Sequence, residues 1–381
     1  MVGMLAMVVL VGMGERMADR FLPIYILAVG GGTMAIGLLG ALENFMGALY
    51  SLPGGYLSDR FGPKRALMIF NLMAASGFLL VMLVPTWEAI LVGATLFLSW
   101  SALSMPAIMG LIGDVLPKNK QVMGVSVHAM VRRIPMALGP IMGGLFIDWL
   151  GERDGIRTAF AVALILCLAS IPMQMRLMVS SSAPNVTAEG NPFTLWQWMP
   201  PPLRRLLVAD ILIRFCEQIP YAFVVVWCMK TISSPVTASE FGFLTAIEMM
   251  TAIAIYVPVG WLADKGGKKR FVLTTFIAFT LFPLALLHAQ GYGALVGVFV
   301  LRGLKEFGEP TRKAMIVDFA PEGRKAALFG LYYLIRDVFV TVAALAGGWL
   351  WQWGPQVNLY TAFFCGMVGT LWYAWKGVDL S

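Results

Sequence analysis

Ionisable side chains recur inside otherwise apolar stretches of this chain, at spacings that place them on common helical faces. Arg16, Asp19, Arg20 and Pro23 fall at i, i+3, i+4 and i+7, with Glu15 beside them. Arg214, Glu217, Gln218 and Tyr221 repeat the pattern later in the chain. His128 and Arg132 stand one turn apart with Arg133 adjacent, and Tyr332 and Arg336 echo them with Asp337 next in line. Two apolar stretches offer one acid each, Glu43 and Glu248; another aligns Arg302, Glu306, Glu309 and Lys313, with Lys305 alongside. Two chemistries suit such sets. A buried carboxyl (Asp19, Glu43, Glu217 or Glu248) can bind and release a proton, because burial favours its neutral form and a nearby arginine its charged form. Alternatively, Arg16, Arg132, Arg214 and Arg336 can converge on an anion, since guanidinium matches carboxylate or phosphate in a bidentate fashion. The plainer reading is that acids and bases pair internally and hold helices together.

These faces need helices that stay in an apolar medium. Of 381 residues, 59% are hydrophobic and 13% charged, with mean hydropathy +0.78. Soluble domains carry roughly a quarter charged residues, so the chain reads as a bundle of membrane helices. An ionisable group inside a bilayer costs several kcal/mol unless paired, which makes each of these residues a functional candidate. The net charge of +7 does not point to nucleic acid, because most of the surplus falls in short loops on one side of the membrane. Cys167, Cys216, Cys228 and Cys365 lie in apolar runs without metal-ligand spacing, so neither a disulfide nor a metal site is expected. No nucleophile–base set and no G-x-x-x-x-G-K-[ST] loop occurs, which argues against an enzyme and against ATP-driven work. The apolar first residues lack a basic leader and read as the first span rather than a cleaved signal.

Apolar stretches long enough to span recur near 3–28, 34–57, 66–84, 88–113, 122–148 and 157–179. They recur again near 205–230, 238–262, 271–289, 292–317, 326–351 and 357–376, twelve candidate spans in all. Residues 180–203, polar and rich in Ser and Pro, read as a cytoplasmic linker that ends in a Trp and Pro anchor at the interface. Lys and Arg cluster after spans 2, 4, 8 and 10, before span 7 and at the end of span 12. By the positive-inside rule both termini are cytoplasmic.

The two halves resemble each other. Gly37, Glu43, Pro53, Gly55 and Asp59 recur 205 positions on as Gly242, Glu248, Pro258, Gly260 and Asp264. Pro106, Asp114, Arg132, Gly143 and Gly144 recur 204 positions on as Pro310, Asp318, Arg336, Gly347 and Gly348. Arg16 and Asp19 meet Arg214 and Glu217 at 198. Two six-helix halves, 1–179 and 204–381, imply a parallel repeat with a pseudo-twofold axis along the membrane normal, a solute site between the halves and alternating access.

The segment Gly55-Tyr-Leu-Ser-Asp59-Arg60-Phe-Gly62-Pro-Lys64-Arg65 resembles the signature loop between helices 2 and 3 of the major facilitator superfamily. A second copy follows span 8: Gly260-Trp-Leu-Ala-Asp264-Lys265-Gly-Gly267-Lys-Lys269-Arg270. The resemblance covers the whole chain and implies an all-α membrane fold of two pseudo-symmetric six-helix bundles. It implies that Asp59 and Asp264 hold the cytoplasmic gate by charge–dipole contacts, with Asp114 and Asp318 joining Arg65 and Arg270. Gly139-Pro140-Ile-Met-Gly143-Gly144 in span 5 is similar to a motif of the superfamily's antiporters and drug exporters, although Pro135 replaces its earlier glycine. The helix-4 arginine motif of those exporters is missing from LFLSWSALSMP, while Leu301-Arg302-Gly303 keeps something like it. The family's organic-phosphate exchangers place arginines on helices 1 and 7, which Arg16 and Arg214 would match.

The expected function is secondary active transport of a small solute, proton-coupled and exporting. The alternative is an organic-anion importer or exchanger using paired arginines; an intramembrane enzyme or a non-transporting receptor is more remote. The expected partners are a small-molecule substrate and the lipid bilayer, with no cofactor beyond a coupling proton, no nucleic acid, and function as a monomer in a bacterial cytoplasmic membrane.

Overall fold

The structure, a computed structural model, describes residues 2–97, 121–177, 196–263, 268–321 and 325–379. Side chains are described outside 2–5, 48, 51–59, 63, 121–130, 177, 256–263 and 325–327. Among the described residues the regular elements are helices: α1 Val2–Asp19, α2 Leu22–Ala28, α3 Thr33–Phe61, α4 Pro63–Leu83, α5 Trp87–Phe97 and α6 Gln121–Leu177. Then come α7 Pro201–Tyr221, α8 Ala238–Ala263, α9 Lys268–His288, α10 Tyr292–Leu304, α11 Glu309–Phe319, α12 Lys325–Trp353 and α13 Pro355–Lys376. The fold is therefore all-α, as the composition requires.

Several expected spans are interrupted, and prolines explain where. Proline removes a backbone N–H, and its ring collides with the carbonyl four residues back. Pro23 sets that carbonyl at Asp19, where α1 stops. Pro310 sets it at Glu306, inside the turn that separates α10 from α11. Pro220 lies in the last turn of α7, which gives way to a short helix at Val224–Val226 and a π-helical turn at Trp227–Thr231. Spans 5 and 6 are two helices that meet at Gly151, whose φ +83 and ψ 169 are non-helical and open to glycine; α6 denotes the pair. Among the described residues five helical stretches are long and apolar enough to cross a membrane, or six if the pair Pro201–Tyr221 and Val224–Thr231, bent by 43°, is one span. Breaks and charges within the other stretches account for much of the difference from twelve: α1 carries Glu15, Arg16 and Asp19, and span 10 is divided in two.

Backbone contacts divide the chain into two compact units, Met1–Thr187 with Val236–Ala246, and Ala188–Pro235 with Ile247–Ser381. Helix α8 begins in the first and continues in the second. In the first unit α1 packs along α6, and Tyr25, Phe78, Phe97 and Phe160 form an aromatic core with centroids 5.1–6.5 Å apart. A buried amide ties α4 to α6: Asn71 Nδ2 donates to Ser170 Oγ at 3.2 Å and to Gln174 Oε1 at 3.0 Å. In the second unit the core joins α7, α9, α11, α12 and α13 through Leu203, Leu207, Phe276, Met315, Leu328 and Tyr373.

Candidate functional site

The second unit concentrates its charges where helices break. Arg302 closes the last turn of α10 and Glu309 opens α11. Each stands at the helix end whose dipole favours its sign. The turn between them packs tightly. A Cβ at Gly308 would overlap the Phe271 carbonyl, and the Gly308 N–H, freed by the break, is taken by Thr275 Oγ1.

Two linked clusters form around these ends. In one, Glu217 accepts from Arg214 Nη1 at 2.6 Å and from Lys305 Nζ at 2.9 Å. Lys305 also pairs with Glu248 at 3.2 Å, and Arg302 Nε lies 3.5 Å from the same carboxylate. The Arg302 guanidinium sits over the rings of Tyr221, Phe282 and Phe299 at 5.1–5.7 Å, a cage suited to a desolvated cation. In the other cluster, Arg312 grips Glu309 through Nε and Nη2 at 2.7–3.1 Å and donates through Nη1 to Asp210. Tyr332 Oη donates to Asp210 at 3.0 Å, and Arg336 holds Asp337 at 2.6 Å while stacking 4.2 Å over Tyr333. Glu248 and Asp210 are each 1% exposed. Five acids (Asp210, Glu217, Glu248, Glu309 and Asp337) thus meet five bases held inside the unit (Arg214, Arg302, Lys305, Arg312 and Arg336), and the exposed Lys313 reaches Glu309 at 3.4 Å as a sixth. Glu306 lies within electrostatic range of Lys305. A narrow pocket opens beside the first cluster, lined by Glu217, Ala278, Phe279, Phe282, Arg302 and Lys305.

The first unit brings its predicted residues together more sparsely. Arg16 lies 3.2 Å from Glu15 and 2.6 Å from Asp19, so one guanidinium serves two nearly buried acids. Arg132 stands within electrostatic range of Glu15, Arg16 and Arg133. Glu43 stands within range of Glu15, Arg16, Asp19 and Arg20. Among the described residues, however, the Glu43 carboxylate makes no ion pair. The cations that hold its repeat partner Glu248 are Arg302 and Lys305; 204 positions earlier the chain has Leu98 and Ser101.

The span-5 motif is a packing surface. A Cβ at Gly139 would come within 2.7 Å of Arg16 Cβ, and one at Gly143 would overlap the Met17 carbonyl, so these glycines let α6 lie against α1. Gly144 meets the backbone of Ala238 and Ser239 just as closely, and Pro140 precedes that contact in the same helix. There Asp148 caps α8, accepting from the N–H groups of Ala238 and Ser239 at 3.0 Å each. Gly347 repeats the arrangement in the second unit against the Ile219 carbonyl.

The signature loops are described only in part. Gly62 ends α3 with φ +78, and Arg60, Arg65 and Arg270 are exposed. Asp318 pairs with Lys268 at 2.6 Å. Asp114, Asp264 and Gly267 lie outside the described residues, as do the side-chain surroundings of Gly55, Asp59 and Gly260.

Sequence reasoning missed Asp210 and Arg312 because it searched for residues that recur between halves. Gly12 stands 198 positions before Asp210, and Ile108 stands 204 before Arg312. The available signal was helical: Asp210 lies four residues before Arg214 and seven before Glu217, on one face of α7.

The sequence profile described as Major Facilitator Superfamily matches residues 4–235 and again 206–379. An uncharacterized MFS-type transporter of Methanocaldococcus jannaschii is 22% identical over 353 residues, covering 91% of this chain and 87% of the relative. A multi-drug resistance efflux pump PmrA homolog of Lactococcus lactis subsp. lactis is 23% identical over 387 residues, covering 94% and 88%. The solved structure of the nucleoside transporter NupG superposes with a TM-score of 0.83 at 13% identity, over 98% of this chain and 99% of that one. At that identity the likeness is one of fold.

Proposed function

The chain belongs to the major facilitator superfamily, and from that premise we propose that it is a secondary active transporter that exports a small solute in exchange for protons. It is an integral membrane protein, and its relatives are transporters rather than enzymes. The observation that carries the coupling is the unequal setting of the two repeated acids. Glu248 faces two cations, Lys305 at 3.2 Å and Arg302 at 3.5 Å. Glu43 makes no ion pair among the described residues and stands within electrostatic range of two acids, Glu15 and Asp19, and two bases, Arg16 and Arg20, so no single partner fixes its charge. Glu43 is therefore the acid that takes up and releases the proton, with Asp19 sharing Arg16 beside it. The repeat halves 1–179 and 204–381, joined by 180–203, are the bodies that alternate access. The Lactococcus relative named for multidrug efflux supports the outward direction. The anion alternative draws less support, because Arg16 and Arg214 each direct Nη1 at 2.6 Å to the acid three residues on.

Proteoliposomes test this reading. A solute is first selected by thermal shift from a panel of lipophilic cations and organic anions, and its flux is then measured under an imposed pH gradient. Gradient-driven flux is expected in the native protein and in Glu248→Gln, and is expected to be lost in Glu43→Gln. Flux that ignores the gradient, or a Glu43→Gln variant that still follows it, removes the proposal.

A further inference from the structure

Asp210 has more partners than an ion pair needs. Its Oδ2 accepts from Arg312 Nη1 and from Tyr332 Oη at 3.0 Å, with Arg336 Nη1 3.8 Å away. Its Oδ1 lies 3.9 Å from Arg214 Nε. Three guanidiniums and a phenol from α7, α11 and α12 thus converge on one carboxylate, while each arginine already holds an acid of its own. Arg214 holds Glu217, Arg312 holds Glu309 and Arg336 holds Asp337, at 2.6–2.7 Å. Asp210 stands at their centre, in the position an anionic ligand takes in an arginine-lined site. Arg336 Nη1 and Arg214 Nε lie beside it, beyond hydrogen-bond distance and with no acceptor of their own.

We propose that Asp210 is a built-in substitute for a small anion: it fills an arginine cradle in the second unit and thereby bars anionic solutes from it. The position itself does not demand an acid. In the first half Gly12 stands there and is closed over by Pro135, whose Cγ lies 3.1 Å from where a Cβ would be. In the second half the acid is a buried negative charge among Arg214, Arg312 and Arg336, and its loss leaves those arginines short of one counter-charge. It also leaves Arg312 Nη1 and Tyr332 Oη without their acceptor. A monocarboxylate fits both the gap and the charge. The proposal narrows the solute class to cations and neutral molecules. It rests on the transport reading only for that consequence, since the cradle itself does not involve Glu43.

The test uses the full chain in detergent, with sodium formate as probe and sodium gluconate, too large for the gap, as the control at equal ionic strength. The native protein should show the same melting temperature in both salts. Asp210→Gly, which empties the cradle, should melt lower, and formate should raise it saturably by roughly half or more of the loss at on the order of 100 mM, as ligand linkage requires. Asp210→Asn keeps the side-chain volume while removing the charge, and should also respond to formate more than to gluconate. Adding Arg336→Ala to either variant should weaken the formate response several-fold. Recovery of folded Asp210→Gly only when formate is present throughout purification also supports the proposal. It is overturned if both variants fold and neither distinguishes formate from gluconate, or if neither can be recovered folded with formate present. Because no pH gradient or transported solute enters this experiment, its outcome is independent of the proton-coupling test at Glu43.

Discussion

The charged faces of α1 and α7 share one repeated pattern, yet the pairings described on them differ. In the first unit Arg16 pairs with Glu15 and Asp19 on its own helix. In the second Arg214 pairs with Glu217 on its own helix, and Lys305 joins that acid from the end of α10. A difference in cation partners also separates Glu43 from Glu248. The duplication kept the acids in both halves, but the cations that clamp Glu248 became Leu98 and Ser101, or arose only in the later copy. An acid without a paired cation changes its charge at lower cost than one facing two cations. On the function proposed above, the second unit is the fixed electrostatic frame and the first carries the proton exchange.

The largest expected effects test the fixed frame. Asp210→Ala and Glu248→Gln each leave buried cations short of a partner and should cost about 3–5 kcal/mol of stability, read as a fall in melting temperature in detergent. Gly12→Ala, at the repeat position of Asp210, adds a methyl 3.1 Å from Pro135 and should cost far less. Equal losses at positions 12 and 210 would break the contrast between the units.

Next come features the halves share. A methyl at Gly143 overlaps the Met17 carbonyl and one at Gly347 overlaps the Ile219 carbonyl, so Gly143→Ala and Gly347→Ala should each cost about 1–3 kcal/mol through overpacking. Similar losses would confine the asymmetry to charge; a loss in one unit alone would extend it to packing. Asn358 donates to the Ile219 carbonyl at 3.1 Å and to that of Gly347 at 2.9 Å. Asn358→Ala should cost about 1–3 kcal/mol by orphaning buried acceptors, and Asn71→Ala in the first unit should fall in the same range. The smallest stability change belongs to Glu43→Gln, within about 1 kcal/mol because no ion pair among the described residues is lost, with gradient-driven flux abolished. A large destabilisation there would mean that Glu43 is structural and would erase the distinction from Glu248.

Much of this was legible in the residues. The scarcity of charge required membrane helices, and the duplicated Gly–Asp–Gly–basic loop placed the chain in its family before any coordinates. Arg16 with Asp19, and Arg214 with Glu217, follow from helical spacing alone, and both pairs form at 2.6 Å. The breaks were half visible. Pro23 and Pro310 stand where α1 ends and α10 gives way to α11, but an unbroken span was expected across each.

What the sequence determined by itself was local or repetitive: helix formation, the i to i+3 pairs, the small-residue motif and the kinship of the halves. These depend on spacing along one chain segment, which is written in order. The tertiary structure alone decided which acids share which bases. Lys305 reaches Glu217 across 88 positions, and Arg312 reaches Asp210 across 102. Such partners are selected by which helix faces pack together, and in a low-dielectric interior that choice sets which acid serves as a counter-ion and which is left without a paired cation.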